Sequence, residues 1–234
     1  MKMGNFKHEP IDLGYDDLVA TSTDRGREYA CPNNTSYPSI TTVLGILNEE
    51  AIQAWRARVG EEEANRVSQR ASTRGTAVHA VLERYVDNEE DYYEDANLIV
   101  KSNFMEVKDI IDKNLTKVYA QEAPLYSDHL GVAGRVDCVG VWNGKNSIID
   151  YKTSRKPKKK EWIDGYFMQC AAYAIMWEER TGMPITQLVV MIAVDNEDPQ
   201  VFIEHRDNWV DKLFEVIEQY KLEKKREHIF GERR

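Results

Sequence analysis

Residues 134–154, GRVDCVGVWNGKNSIIDYKTS, read as a β-hairpin. Apolar and β-branched residues flank Asn143-Gly144, the strongest short-range signal for a two-residue hairpin turn. With those two residues in the loop, Trp142 faces Lys145, and the register carried back from there sets Asp137 opposite Asp150. Facing Cβ atoms in such a ladder lie about 4.5–5.5 Å apart. Lys152, two residues past Asp150, projects from the same strand face. Like charges facing each other destabilise a hairpin. The pattern therefore implies a divalent cation between the carboxylates, and hard oxygen ligands suit Mg²⁺ or Mn²⁺. By spacing alone, a solvated surface hairpin competes with this reading. The apolar company of Val136, Val139, Ile148 and Ile149 argues against a fully wet one.

Outward from the hairpin, strands are expected near 117–126, 131–142 and 146–152. Leu188–Val194 is an apolar run of strand length, as for a strand covered on both faces, and residues 201–204 form a short strand beside it. Helices are expected from Ser39 or Thr41 to Asn48, over 49–71, from Thr73 to Tyr85, over 96–113, over 161–180 and from Asp207 to about Lys225. Each carries apolar residues at helical spacing or charged, Ala-rich composition. Trp162 counts among the apolar positions of the 161–180 helix. Residues 1–36 read as an irregular segment punctuated by Gly, Pro, Asn and Ser. Residues 37–234 then form one domain, a helical part (37–113) followed by a sheet-containing core (114–234).

The chain has 234 residues, 42% hydrophobic and 30% charged, the composition of a soluble globular protein with a sizeable core. The apolar runs are too short to span a bilayer. The first residues show neither a secretory nor a transit pattern, so a cytoplasmic location is expected. Cys31, Cys138 and Cys170 are odd in number, scattered and without CxxC spacing, as for free thiols in a reducing compartment. A net charge of −9 argues against broad electrostatic attraction to nucleic acid, but the charge is uneven. Residues 83–95 carry seven acids, whereas KTSRKPKKK at 152–160 carries six bases and no acid.

Several side chains could join Asp137, Asp150 and Lys152 in chemistry on a phosphodiester. Carboxylate-held metal ions can supply a hydroxide and neutralise phosphoryl charge. A neighbouring lysine can orient or deprotonate water, or stabilise developing charge. The Tyr151 backbone carbonyl is a further possible ligand. Gln169 and Tyr173, four apart on a helix, share a face and can hold a nucleic-acid backbone or stack on a base, though ordinary helix packing explains them as well. His79 can ligate a metal as neutral imidazole or serve the core. Arg74 and Gly75, at the expected start of the Thr73–Tyr85 helix, can meet a phosphate or form a capping turn. Lys156 and Lys158 are either a solvated charge run or a guide for a DNA backbone.

Taken together, G-x-x-D at Gly134–Asp137, D-Y-K at Asp150–Lys152, Q-x-x-x-Y at Gln169–Tyr173 and the upstream His79 resemble the PD-(D/E)XK nuclease superfamily in its RecB-like branch. YPSITTVLGIL (37–47), WRARVG (55–60) and RGTAVHAVLE (74–83) look like the N-terminal blocks of a group of mitochondrial and phage exonucleases in that branch. The resemblance implies an α+β, restriction-endonuclease-like core, a central mixed sheet flanked by helices and preceded by a helical region. It implies that Asp137, Asp150 and His79 bind Mg²⁺ or Mn²⁺, that Lys152 is the catalytic lysine, and that Gln169 and Tyr173 bind substrate. Glu122 sits where relatives can carry a supporting acid. The tyrosine at 151 departs from the tryptophan of the mitochondrial enzyme, a change that leaves the useful carbonyl in place. Some relatives hold an iron–sulfur cluster through cysteines; none is expected here. The implied activity is metal-dependent exonucleolytic hydrolysis of DNA from single-stranded or frayed ends, in replication, recombination or repair, by a monomer. A structure-specific endonuclease of the same superfamily and a catalytically inactive DNA-binding module are the alternatives.

Overall fold

A computed structural model describes residues 5–23 and 26–231. The described part of the first 36 residues, expected to be irregular, holds β1 (Lys7–His8), β2 (Val19–Thr23), β3 (Gly26–Cys31) and the start of β4 (Thr35–Pro38). Strands β2, β3 and β4 form a small antiparallel sheet. Their sequences, VATST, GREYAC and TSYP, have little apolar alternation. What orders them is tertiary: Leu18, Tyr29 and Cys31 bury against Tyr126 and Ala133 of the main sheet.

Helix α1 (Ile40–Leu44) starts at Ser39, whose hydroxyl accepts from the Thr42 N–H. A 3₁₀ turn follows over Gly45–Asn48, then α2 (Glu49–Val59) and α3 (Glu61–Val86). The break between α2 and α3 falls at Gly60, which adopts φ 86°. The expected division near Thr73 is absent: α3 runs unbroken through Gly75. That glycine faces Thr153, whose Oγ1 stands 4.0 Å from where a Cβ would sit. Helix α2 and most of the first half of α3 lie at the surface. The second half of α3 buries Val78, Val81, Leu82, Tyr85 and Val86. Helix α4 (Leu98–Asn114) follows, capped by Asn97.

The rest of the chain supplies β5 (Leu115–Ser127), β6 (Val132–Trp142), β7 (Lys145–Ser154), α5 (Asp164–Thr181), β8 (Gln187–Val194), β9 (Gln200–His205) and α6 (Asp207–Phe230). The main sheet is six-stranded and mixed, in the order β1-β5-β6-β7-β8-β9. Strand β7 pairs antiparallel with β6 and parallel with β8. Residues Leu188, Val190, Ile192 and Val194 of β8 join the core beneath α1, α5 and α6. Val189, Met191 and Ala193 join the opposite core beneath α3 and α4. This is the double coverage that its unbroken apolar run implies. No helix of the described residues is long and apolar enough to cross a membrane.

Candidate metal and catalytic site

The β6–β7 hairpin has the expected register, from Trp142↔Lys145 to Cys138↔Ile149. One step further lie Asp137 and Asp150. Here the ladder stops, and the Asp137 Oδ2 accepts the Tyr151 N–H at 2.7 Å in place of a strand carbonyl. On the other side, the pairs Gln121↔Cys138 and Ala123↔Val136 set Glu122 of β5 across from Asp137. Asp137 therefore stands between two acidic neighbours on adjacent strands.

Glu122 has φ 44°, a conformation that otherwise occurs outside glycine only at Asn34, Asn88, Asn143 and Asn196 among the described residues. Asparagine tolerates the left-handed region; glutamate there costs on the order of 1–3 kcal/mol and marks a position held by its surroundings. Arg135 donates to the Glu122 carbonyl oxygen and fixes this turn of the backbone. Burial, and next the charge of Asp137, push the Glu122 carboxyl up to about 7.

From α3, the His79 Nδ1 lies 3.5 Å from the Asp137 Oδ1, and its ring meets the Tyr151 ring edge-on at 6.1 Å between centroids. Burial alone would disfavour the imidazolium. The hydrogen bond and charge of Asp137 outweigh it, so the His79 pKa rises. Ligand atoms of His79, Glu122 and Asp137 all lie within 4.8 Å of one another. Glu122 thus enters the centre of the cluster rather than its margin.

Asp150 is 1% exposed and sits beside Lys152, with Oδ2 and Nζ 2.5 Å apart. Neither oxygen accepts a hydrogen bond of proper geometry, the lysine contact being an ion pair. Burial raises the Asp150 pKa, whereas Asp137 is held low despite its burial by His79, Lys152 and the Tyr151 amide. The two acids differ because His79 first, then Lys152 and the Tyr151 amide, favour the Asp137 carboxylate, whereas the charge of Asp137 opposes ionisation of Asp150. Burial should strip Lys152 of its proton, but the charges of Asp150 and Asp137 reverse that and raise its pKa, so it is an ammonium at neutral pH. Its Nζ also lies 5.3 Å from the centre of the Tyr166 ring on α5. Tyr166 was not visible as a site residue in the sequence.

The other expected site residues divide. The Gln169 Nε2 donates to the Tyr173 hydroxyl at 3.3 Å, and both side chains are buried. The Tyr173 ring packs on Gly134, where an added Cβ would fall 2.8 Å from Cε1. Two sequence motifs therefore meet directly, and Tyr173 offers no free face for a base. Arg74 is not at a helix start, because α3 begins at Glu61. It has no helix-terminal amides with which to share an anion; instead its Nη1 pairs with Asp195 at the end of β8, 2.5 Å away. Asn103 of α4 donates to the same carboxylate. Lys156 is exposed and Lys158 partly so, on the segment that leaves β7.

The donor set suits a divalent cation. Two carboxylates and an imidazole converge within 4.8 Å, and ligands opposite each other on Mg²⁺ are about 4.2 Å apart at its 2.0–2.1 Å bond lengths. The Asp150 Oδ1, buried and without a hydrogen-bond partner, is the kind of orphan that a cation satisfies, whereas Oδ2 already meets the Lys152 ammonium. The sequence matches the PD-(D/E)XK nuclease superfamily over residues 109–229, just over half of the chain. The chain belongs to that superfamily. Superfamily members use divalent metal ions, as the site's chemistry suggests. The chain is also 30% identical to human mitochondrial genome maintenance exonuclease 1 over 129 residues. That match covers 52% of this chain and 38% of the human protein, well short of that protein's length. A solved candidate exonuclease from Eubacterium rectale aligns over 67% of this chain and 66% of its own, at 17% identity and a TM-score of 0.43.

Proposed function

We propose that this protein is a DNA exonuclease that uses Mg²⁺ or Mn²⁺ to hydrolyse phosphodiester bonds from single-stranded or frayed ends. The observation that carries the reading is the convergence of His79, Glu122 and Asp137 beside the buried Asp150–Lys152 pair. Bound metal supplies charge neutralisation at the phosphate and a water of lowered pKa.

The chain's own groups have distinct tasks. Asp137 is held ionised by the Tyr151 amide and His79, ready to ligate without first losing a proton. His79 and Glu122 complete the donor set from α3 and β5, and the Tyr151 carbonyl would join them as a further oxygen ligand. Asp150 holds the Lys152 ammonium in place. From there Nζ can donate to the attacking water and to the phosphoryl oxygen on which charge develops. Gln169 and Tyr173 support the floor of the site through Gly134, and Lys156 and Lys158 meet the backbone of the DNA.

The distinguishing experiment compares linear with covalently circular single-stranded DNA in Mg²⁺ or Mn²⁺. An exonuclease degrades the linear form and spares the circle. Equal cutting of both would make the protein an endonuclease, and no cutting of either in any divalent ion would remove the reading.

A further inference from the structure

Trp162 is the only aromatic side chain among the exposed large apolar residues of the described chain, at 64% exposure. It lies in a 3₁₀ turn, Lys160–Trp162, just before α5. Of the five tryptophans, Trp142, Trp177 and Trp209 are buried and Trp55 is half-buried. Among the described side chains no other Phe, Tyr or Trp ring is exposed to this extent, and the indole adjoins the basic segment leaving β7.

The segment is built, not loose. The Lys158 N–H donates to the Gln200 Oε1 at 2.7 Å, and the Gln200 Nε2 donates to the Lys158 carbonyl at 2.9 Å. This two-bond clamp ties the segment to β9. Lys160 pairs with Glu204 on the same strand. The Ser154 hydroxyl donates to the Lys156 carbonyl at 2.6 Å. The Lys159 Nζ stands 5.1 Å from the centre of the Trp162 ring. Four residues after Trp162, in the first turn of α5, comes Tyr166, whose ring contacts Lys152. The indole thus stands close to the reacting centre in chain distance, on a backbone fixed by hydrogen bonds, with cations on its N-terminal side.

We propose that Trp162 is a stacking platform for an unpaired nucleobase of the DNA strand engaged by the site, with Lys156, Lys158 and Lys159 holding the adjoining phosphates. This rests on the nuclease reading and adds its strand selectivity. A π-face accepts any base without reading its edge, but only a base out of a duplex stack can reach it. The platform therefore favours single-stranded over paired DNA and is indifferent to sequence.

The test is tryptophan fluorescence of the full chain titrated with oligothymidylate in EDTA, which prevents hydrolysis. Wild type is expected to be quenched on binding. Trp162→Phe loses the quench while keeping part of the affinity. Trp162→Ala weakens binding about 5- to 160-fold with the slope of log affinity against log salt unchanged. Lys158→Ala instead lowers that slope by about 0.7. Because the side chain is exposed, Trp162→Ala should melt within about 2 °C of wild type. A duplex with closed ends should not quench. Binding by Trp162→Ala within twofold of wild type, or a full quench in Trp162→Phe, overturns the platform while leaving the nuclease reading intact. Failure of the wild type either to bind DNA or to degrade it in Mg²⁺ or Mn²⁺ sinks both.

Discussion

Gly134→Ala is a one-methyl change whose cost can be worked from the geometry. A Cβ at this position would stand 2.8 Å from the Tyr173 Cε1, 3.0 Å from its hydroxyl oxygen and 3.3 Å from the Ile40 Cγ2. Ordinary contacts begin near 3.4 Å, so the ring must retreat by roughly half an ångström or β6 must bow. Neither is easy, because Tyr173 is 2% exposed and Ile40 is fully buried. Overpacking of this kind costs about 1–3 kcal/mol. Alanine restricts the unfolded chain, which returns about 0.4–1 kcal/mol. The net loss is roughly 0–2.6 kcal/mol, a fall in Tm of up to about 10 °C for a chain of this size. Gly165→Ala is the control: nothing lies within 4 Å of its added Cβ, and in the first turn of α5 it should be neutral or stabilising by up to about 1 kcal/mol. Thermal melts of both variants, with Tyr173→Ala and the double variant, form the assay. The double variant should lose less than the sum of the singles by about 1–2 kcal/mol, since the clashing ring is gone. Strict additivity in the cycle would refute the contact between the two motifs.

Three further outcomes follow from the site. Saturating Mn²⁺ should raise the wild-type Tm, by an amount equivalent to about 2.7 kcal/mol at a hundred times Kd; Asp137→Asn or Glu122→Gln should remove most of the rise, and a full rise in Glu122→Gln would exclude that residue as a ligand. The raised Glu122 pKa gives opposite pH trends: the folded apoprotein holds a proton that the unfolded chain, near its ordinary 4.5, does not. Metal-free stability from this group therefore grows as pH falls from about 7 toward 5, whereas the metal-induced rise shrinks because the proton must leave. Both trends, read from melts across that range, should flatten in Glu122→Gln, and unchanged trends there would assign them to another group. Arg74→Ala leaves Asp195 without its cation and loosens α3 five residues before His79; it should cost about 1.5–3 kcal/mol and weaken the Mn²⁺-induced rise, and an unchanged melt would show the ion pair to be idle.

The hairpin was legible because its signals are local. Asn143-Gly144 sets the turn, alternation of two sets the face, and the two together place Asp137, Asp150 and Lys152. The doubly covered β8 was legible from its unbroken apolar run. What the sequence concealed depends on distant partners. The small sheet near the N-terminus has polar strands and is ordered by Tyr126 and Ala133. The left-handed backbone of Glu122 is held by Arg135 across the strand, and no residue pattern announces it. Helix α3 continues through Gly75, which passes close to Thr153 of β7, an approach that no local residue pattern signals. Trp162 falls on the apolar spacing of a helix over 161–180, yet it precedes α5 and faces water. Tyr173 and Arg74 share the site's neighbourhood, but Gly134 and Asp195 already occupy the surfaces they were expected to offer to DNA.

The most direct measurement follows end-labelled, linear single-stranded DNA in Mn²⁺ or Mg²⁺ with wild type, Lys152→Ala and Asp150→Asn, each first checked by its melt to be folded. Wild type should shorten the strand progressively from an end, and both variants should lose at least a hundredfold in rate, about 2.7 kcal/mol of transition-state stabilisation. Folded Lys152→Ala protein that degrades DNA at the wild-type rate would contradict the account.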